Sequence, residues 1–227
     1  MRLSRIRRPA VWAAVSLALT VGAATGTVLG AGTASAAGCA DVQVVSARGT
    51  DEPDGWLGGR NLGALVGNPV YAVLDAVLPG PTDAYRVNYP ASRNQPASVQ
   101  AGNRDLVEHL VRQAQACPHQ RFVLVGYSQG ANVVANALGV SSEGARVGGP
   151  ITATLPAHLQ PRITAVLLFG NPIRGIGKTI TGPYADRTYD VCNTNDPVCD
   201  PGGTDWNVHL HYAWHAVAAA QFVAGRL

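Results

Sequence analysis

Ser128 stands at the centre of Gly126-Tyr127-Ser128-Gln129-Gly130, where the apolar run Phe122–Val125 gives way to a stretch patterned like a helix. A lone serine makes a poor core residue at that place. The pattern G-x-S-x-G suits a nucleophile carried on a sharp strand-to-helix turn, with glycines two before and two after so that neighbouring backbone can approach. A helix beginning beside the serine would aim free N–H groups and a positive dipole end at a reacting oxygen. Five residues are a short match that arises often by chance. The order strand, turn, helix around them is what gives the match weight.

A serine nucleophile needs a base, and the base needs a group to orient it. When the serine sits on such a turn, the expected chain order is Ser, then Asp or Glu, then His. The acids after Ser128 are Glu143, Asp186, Asp190, Asp196, Asp200 and Asp205, and the histidines are His158, His209, His211 and His215. Asp196 lies inside "CNTNDPVC", between Cys192 and Cys199, just past an expected strand. Asp200 and Asp205 are next in line for the same role. His209 falls in an expected loop before the last helix, from which it could swing over Ser128; His211 is near the start of that helix and His215 within it. The i, i+4 spacing of His211 and His215 could bind zinc, but the glutamate of H-E-x-x-H is missing, so no metal site is expected.

These residues need a scaffold. Strands are expected at Asp41–Thr50, Ala84–Pro90, Arg121–Ser128, Arg162–Gly170 and Arg187–Asn193, the fourth continuously apolar as a central parallel strand should be. Helices are expected from Pro69 to Leu78, over the stretch ending at Cys117, from Gln129 to Gly139, and from Tyr212 to Gly225. Alternating strands and helices imply an α/β, three-layer sandwich with a mostly parallel sheet of about five strands and helices on both faces. Ligands of such sheets bind beyond the carboxyl ends of the strands, where Ser128 falls. Ser141–Pro161 and Asn171–Pro183, rich in Gly and Pro, read as long surface loops.

The first 36 residues read differently from the rest. Arg2, Arg5, Arg7 and Arg8 precede a long apolar stretch from Ala10 to about Gly32, and Ala34-Ser35-Ala36 has the small-x-small form of a signal-peptidase site. Residues 1–36 are therefore expected to be a secretory signal peptide, not a stable membrane anchor, and residues 37–227 a single catalytic domain. The pair Arg7-Arg8 resembles a twin-arginine export signal, though Ile6 precedes it where Ser or Thr is usual. Of 17 basic and 14 acidic residues, four arginines and no acid lie in the leader, which leaves 13 against 14 and a net charge of −1. No basic patch remains to suggest nucleic acid. All four cysteines, Cys39, Cys117, Cys192 and Cys199, lie in the mature part, and an even count in an exported chain reads as two disulfides with three possible connectivities. Cys192 with Cys199 would clamp a short loop. Cys39 and Cys117 each precede an expected strand, so parallel neighbours could bring them together. On the chain-entropy model the short bridge contributes ~2–3 kcal/mol and the long one ~4–5 kcal/mol.

Three stretches together resemble the cutinase family of secreted serine esterases: "GYSQG" its nucleophile box, "CNTNDPVCD" its acid loop within a disulfide, and "VHLHY" the segment supplying its histidine, 13 residues after the acid. "SARGTDE" and "AVLLFGNP" extend the match over nearly all of residues 39–227. The resemblance implies an α/β-hydrolase fold with Ser128 as nucleophile, Asp196 as orienting acid and His209 as base. It implies an oxyanion hole from the N–H of Gln129 and the N–H and hydroxyl of Thr50, and disulfides Cys39–Cys117 and Cys192–Cys199. It implies no cofactor, and a secreted monomer acting on an ester substrate, polymeric or lipid-like: cutin-type polyesters and short- to medium-chain esters, or in some relatives acetylated xylan or lipids. The Ser141–Pro161 segment is longer than a minimal cutinase needs, and substrate size is the property it bears on.

Overall fold

The computed structural model describes residues 38–53 and 61–227, so the expected signal peptide lies outside the described residues. Five strands form one sheet: β1 (Val42–Ala47), β2 (Thr82–Arg86), β3 (Arg121–Tyr127), β4 (Ile163–Phe169) and β5 (Thr188–Val191). Their order is β2-β1-β3-β4-β5 and every pairing is parallel. All six residues of β1 and the last six of β3 are buried, as strands covered on both faces must be. The edge strands β2 and β5 are only half-buried, and they carry Asp83, Arg86 and Asp190.

Alternation along the strands divides the core in two. Val44, Val123, Val125, Ala165 and Leu167 face α1 (Gly67–Val77) and α5 (Ala216–Ala224), which bury Val70, Leu74, Ala219 and Val223. Val45, Phe122, Leu124, Val166 and Leu168 face α2 (Ala97–Ala116) and α3 (Gln129–Ala137). Every residue of α3 is buried, because the sheet lies beneath it and later chain covers it. The result is the expected three-layer α/β sandwich. Among the described residues, no helix is long and apolar enough to cross a membrane.

Three expectations shift. β2 starts at Thr82 and ends at Arg86 instead of running from Ala84 to Pro90. Polar residues suit an edge strand, and Tyr89 and Pro90 serve instead to bond the guanidinium of Arg48 through their carbonyls. The last helix begins at Ala216, after a 3-10 turn over Ala213–His215, and a one-turn helix α4 (Trp206–His209) precedes both. His209 therefore ends a helix and does not sit in a loop. The two expected long loops contain 3-10 turns of their own, at Ala157–Arg162, Pro172–Ile176 and Gly182–Arg187.

Both disulfides form as Cys39–Cys117 and Cys192–Cys199. The first joins the chain just before β1 to the chain just before β3, neighbours in the sheet. The strand order reverses between those same two strands, so their carboxyl ends open the crevice where such sheets bind ligands. Thr50 follows β1 there and Ser128 follows β3.

Candidate active site

Ser128 connects β3 to α3 with φ 52° and ψ −118°, a positive-φ conformation a serine rarely adopts. Its N–H is tied to the Phe169 carbonyl at 3.0 Å. The flanking glycines are required by contact: a Cβ on Gly126 would lie 2.7 Å from the Ala131 Cα, and one on Gly130 only 1.9 Å from the Ala47 carbonyl oxygen. The turn can form only because both lack side chains. It leaves Ser128 7% exposed, at the base of a cleft.

His209 meets the serine from the far side of the chain. Its Nε2 is 3.0 Å from Ser128 Oγ and its Nδ1 is 2.8 Å from Asp196 Oδ2. The imidazole packs against the Tyr127 ring, with centroids 5.1 Å apart, and Trp206 approaches it edge-on. The Tyr127 hydroxyl donates to the His209 carbonyl at 2.7 Å. Behind the ring lies Gly170, with φ 54°, where a Cβ would come within 2.9 Å of His209 Cε1.

Asp196 is fully buried and both oxygens of its carboxylate are hydrogen-bonded. Oδ1 accepts the Val198 N–H at 2.8 Å; Oδ2 accepts from His209 and from the Tyr212 hydroxyl, the latter at 2.5 Å. Burial by itself would raise its pKa, but the bonds from His209, Tyr212 and Val198 and the attraction of His209 outweigh it and hold the group below the usual carboxylate range. An ionised carboxylate only accepts, so Nδ1 must carry the imidazole proton and Nε2 offers its lone pair to Ser128. The other candidates are engaged elsewhere. Asp200 accepts the Asn195 N–H and Asp205 caps α4 through the Asn207 N–H. His211 bonds the Asn207 carbonyl, His215 bonds Asn193 Oδ1, and His158 is exposed.

Thr50 stands across the cleft. Its Oγ1 accepts from Gln129 Nε2 at 2.7 Å, which leaves the hydroxyl proton free to donate into the cleft. The Gln129 side chain also donates to the Ser92 carbonyl at 2.9 Å and accepts from Ser98 Oγ at 2.7 Å. Gln129 is the first residue of α3, so its backbone N–H has no acceptor within the helix.

Residues that sequence reasoning did not single out hold this arrangement together. Glu52, 6% exposed, accepts the Gly49 N–H at 2.6 Å and the Leu65 N–H at 2.7 Å, pinning the Thr50 turn to chain thirteen residues on. Burial pushes its carboxyl above the ordinary 4.5, against the pull of the backbone N–H groups of Gly49, Leu65 and Val66. Tyr212 closes the "VHLHY" stretch, three residues after His209, but nothing in that stretch marks it as a partner of Asp196. The cleft, about 550 Å³, is lined by Leu65, Val147, Val198, Trp206 and Leu210, with Arg93 and Arg146 beside them.

Comparison with known proteins follows the same outline. A family model described as cutinase matches residues 38–227. A cutinase of Kineococcus radiotolerans is 42% identical over 84% of this chain, which spans 63% of that protein. Phospholipase Culp4 of Mycobacterium tuberculosis is 36% identical, over 85% of this chain and 81% of its own. Among solved structures, Trichoderma reesei cutinase in complex with a C11Y4 phosphonate inhibitor superposes with a TM-score of 0.63 at 32% identity, covering 82% of this chain and 76% of that one. The catalytic core of an acetyl xylan esterase from the same organism gives 0.68 at 26% identity, covering 83% and 100%.

Proposed function

The chain belongs to the cutinase family of esterases, and from that premise we propose that it hydrolyses carboxylic esters by acyl transfer through Ser128, with His209 as general base and Asp196 orienting it. The observation that carries this reading is the unbroken hydrogen-bonded line from Ser128 Oγ through His209 to Asp196, at 3.0 and 2.8 Å.

His209 Nε2 takes the Ser128 proton as Oγ attacks the ester carbonyl. Asp196 stabilises the imidazolium that forms. The backbone N–H groups of Thr50 and Gln129, with the Thr50 hydroxyl, receive the developing oxyanion; Gln129 thus serves twice, once by its N–H and once by aiming the hydroxyl. His209 then returns the proton to the leaving alcohol. Water activated by the same imidazole releases the acid. No step calls for a cofactor.

The apolar lining of the cleft suits aliphatic esters, which supports cutin-type polyesters and short- to medium-chain esters as substrates. The likeness to an acetyl xylan esterase core and to a phospholipase supports acetylated polysaccharide or lipid as the second reading. The basic leader and the paired cysteines support export, with residues 1–36 removed.

The test is hydrolysis of p-nitrophenyl esters from acetyl to palmitoyl by wild type and Ser128→Ala. The expected result is turnover that favours short to medium chains and falls by on the order of 10⁶-fold in the variant. A strict acetyl preference would select the polysaccharide reading. Turnover that survives the substitution would overturn the assignment of the nucleophile.

A further inference from the structure

The segment 142–149 after α3 is a rigid wall of the cleft, not a slack connection. Two buried asparagines one turn apart on α3 hold it: Asn132 Nδ2 donates to the Arg146 carbonyl at 2.9 Å and Asn136 Nδ2 to the Gly149 carbonyl at 3.1 Å. Asn136 Oδ1 also accepts the Ser142 N–H at 2.8 Å. Ser142 closes the segment on itself, its Oγ donating to the Gly149 carbonyl and accepting the Gly149 N–H. Asn132 makes its bond although its own Oδ1 stays buried with no partner among the described residues. A helix that carries the nucleophile at its head thus carries this wall on its side.

The tethers fix the backbone on both sides of Val147, which is held at φ 49°. For a β-branched residue that conformation is a genuine outlier, and strain of this kind persists only where the surroundings enforce it. Val147 lines the cleft alongside Ser128. Next to it, the Arg146 guanidinium lies over the Trp206 ring, 5.3 Å from its centroid, so the wall touches the helix that ends in His209. Glycine would meet the backbone requirement at 147 without strain, and asparagine with less strain than a β-branched residue; valine supplies apolar bulk there instead.

We propose that this wall sets the length of substrate chain the cleft admits, with Val147 as the limiting side chain and the Arg146–Trp206 contact closing the mouth above it. The inference rests on Ser128 being the nucleophile. It gives the long segment after α3 a role in selecting substrate.

The test compares kcat/KM across two series, p-nitrophenyl esters from acetate to dodecanoate and alkyl acetates from ethyl to octyl. Wild type, Val147→Gly, Val147→Asn and Arg146→Ala are assayed with Ser128→Ala as the blank. Val147→Gly is expected to raise the long-to-short ratio at least tenfold in one series, and to raise the thermal midpoint as the strain is relieved. Val147→Asn, of similar size and better suited than valine to positive φ, should keep the ratio within twofold of wild type. Arg146→Ala should raise the ratio two- to fivefold by opening the mouth. Ratios unchanged by Val147→Gly in both series, with the blank inactive, would overturn the proposal. An equal gain in Val147→Asn would also overturn it, since relaxation and not bulk would then be the cause. Turnover in the blank would overturn the nucleophile reading, and the wall with it.

Discussion

The two arms of the site solve one problem by different means. The acid arm, residues 193–212, brings Asp196 and His209 to the serine from chain that is mostly irregular. A disulfide from Cys192 to Cys199 closes it, and Tyr212 and Val198 complete the carboxylate's shell. The arm proposed to hold the oxyanion, residues 48–52, has no covalent tie. Glu52 holds it to the chain at Leu65, Gln129 holds the Thr50 hydroxyl, and the Asp51 N–H bonds the Ala91 carbonyl at 2.8 Å. A buried carboxylate anchors each arm, but the two are charged at different cost. Asp196 is surrounded by donors that favour its ionised form. Glu52 is buried deeply enough that ionisation is penalised. One carboxyl is favoured as an anion; the other is pushed toward its protonated form by the burial that keeps it in place.

The largest break in that comparison is Asp196→Asn. The fold should survive while kcat falls by up to ~10⁴-fold, because an amide can donate to Nδ1 and turn the imidazole proton toward Ser128. A near-normal rate would move the acid's role to another residue. On the opposite arm, Thr50→Val removes the hydroxyl donor and should lower kcat by on the order of 10²–10³-fold with little change in KM. Glu52→Gln should cost less, about 10- to 10²-fold, by shifting the Thr50 turn. Combined with Thr50→Val, the Glu52 change should add less than it does alone, because its effect passes through that hydroxyl. Full additivity in the double-mutant cycle would separate Glu52 from the oxyanion arm.

Stability against pH sharpens the contrast, since the two carboxylates act with opposite signs. Asp196 is held below its ordinary 3.8, so its contribution is fully present above that pH and is lost as pH falls through the lower, folded-state value. Glu52 is raised above 4.5, so the folded chain binds the extra proton and stability falls as pH climbs from there to the folded-state value. Urea unfolding from pH 2 to 8 should show a shallower acid loss in Asp196→Asn. In Glu52→Gln the decline above pH 4.5 should flatten. Identical pH slopes in all three proteins would refute the contrast.

The smallest effect is expected from replacing Cys192 and Cys199 with serine. Stability should drop by ~2–3 kcal/mol. Activity at 25 °C should fall only severalfold, because the bonds from Val198 and Tyr212 still hold Asp196. A loss as large as that of Asp196→Asn would make the bridge, and not the hydrogen bonds, what positions the acid.

Local pattern was enough to reveal much of this molecule. The apolar runs of β1, β3 and β4 show in the sequence because strands covered on both faces must be apolar throughout. Gly126 and Gly130 show because a strained turn excludes side chains at both places. Asp196 shows because a short disulfide encloses it. The oxyanion anchor was hidden: Glu52 bonds chain near Leu65, and no spacing rule links an acid to a backbone N–H thirteen residues away. The one-turn helix at His209 was hidden too, being too short to display a period.

What the sequence by itself determined is therefore the order of strands and helices, the turn at Ser128 and the chemical types of the groups around it. These follow from side-chain volume, backbone freedom and hydrophobic period, which act over a few residues. Tertiary structure alone decided the geometry that joins Asp196 through His209 to the serine, which buried carboxylate holds Thr50, and that the segment after α3 presses Val147 into the cleft. Those choices depend on the strand order reversing between β1 and β3, which brings together chain from residues 50, 128, 147, 196 and 209. Contacts across such separations are selected by the packing of the whole sheet, and no local pattern encodes them.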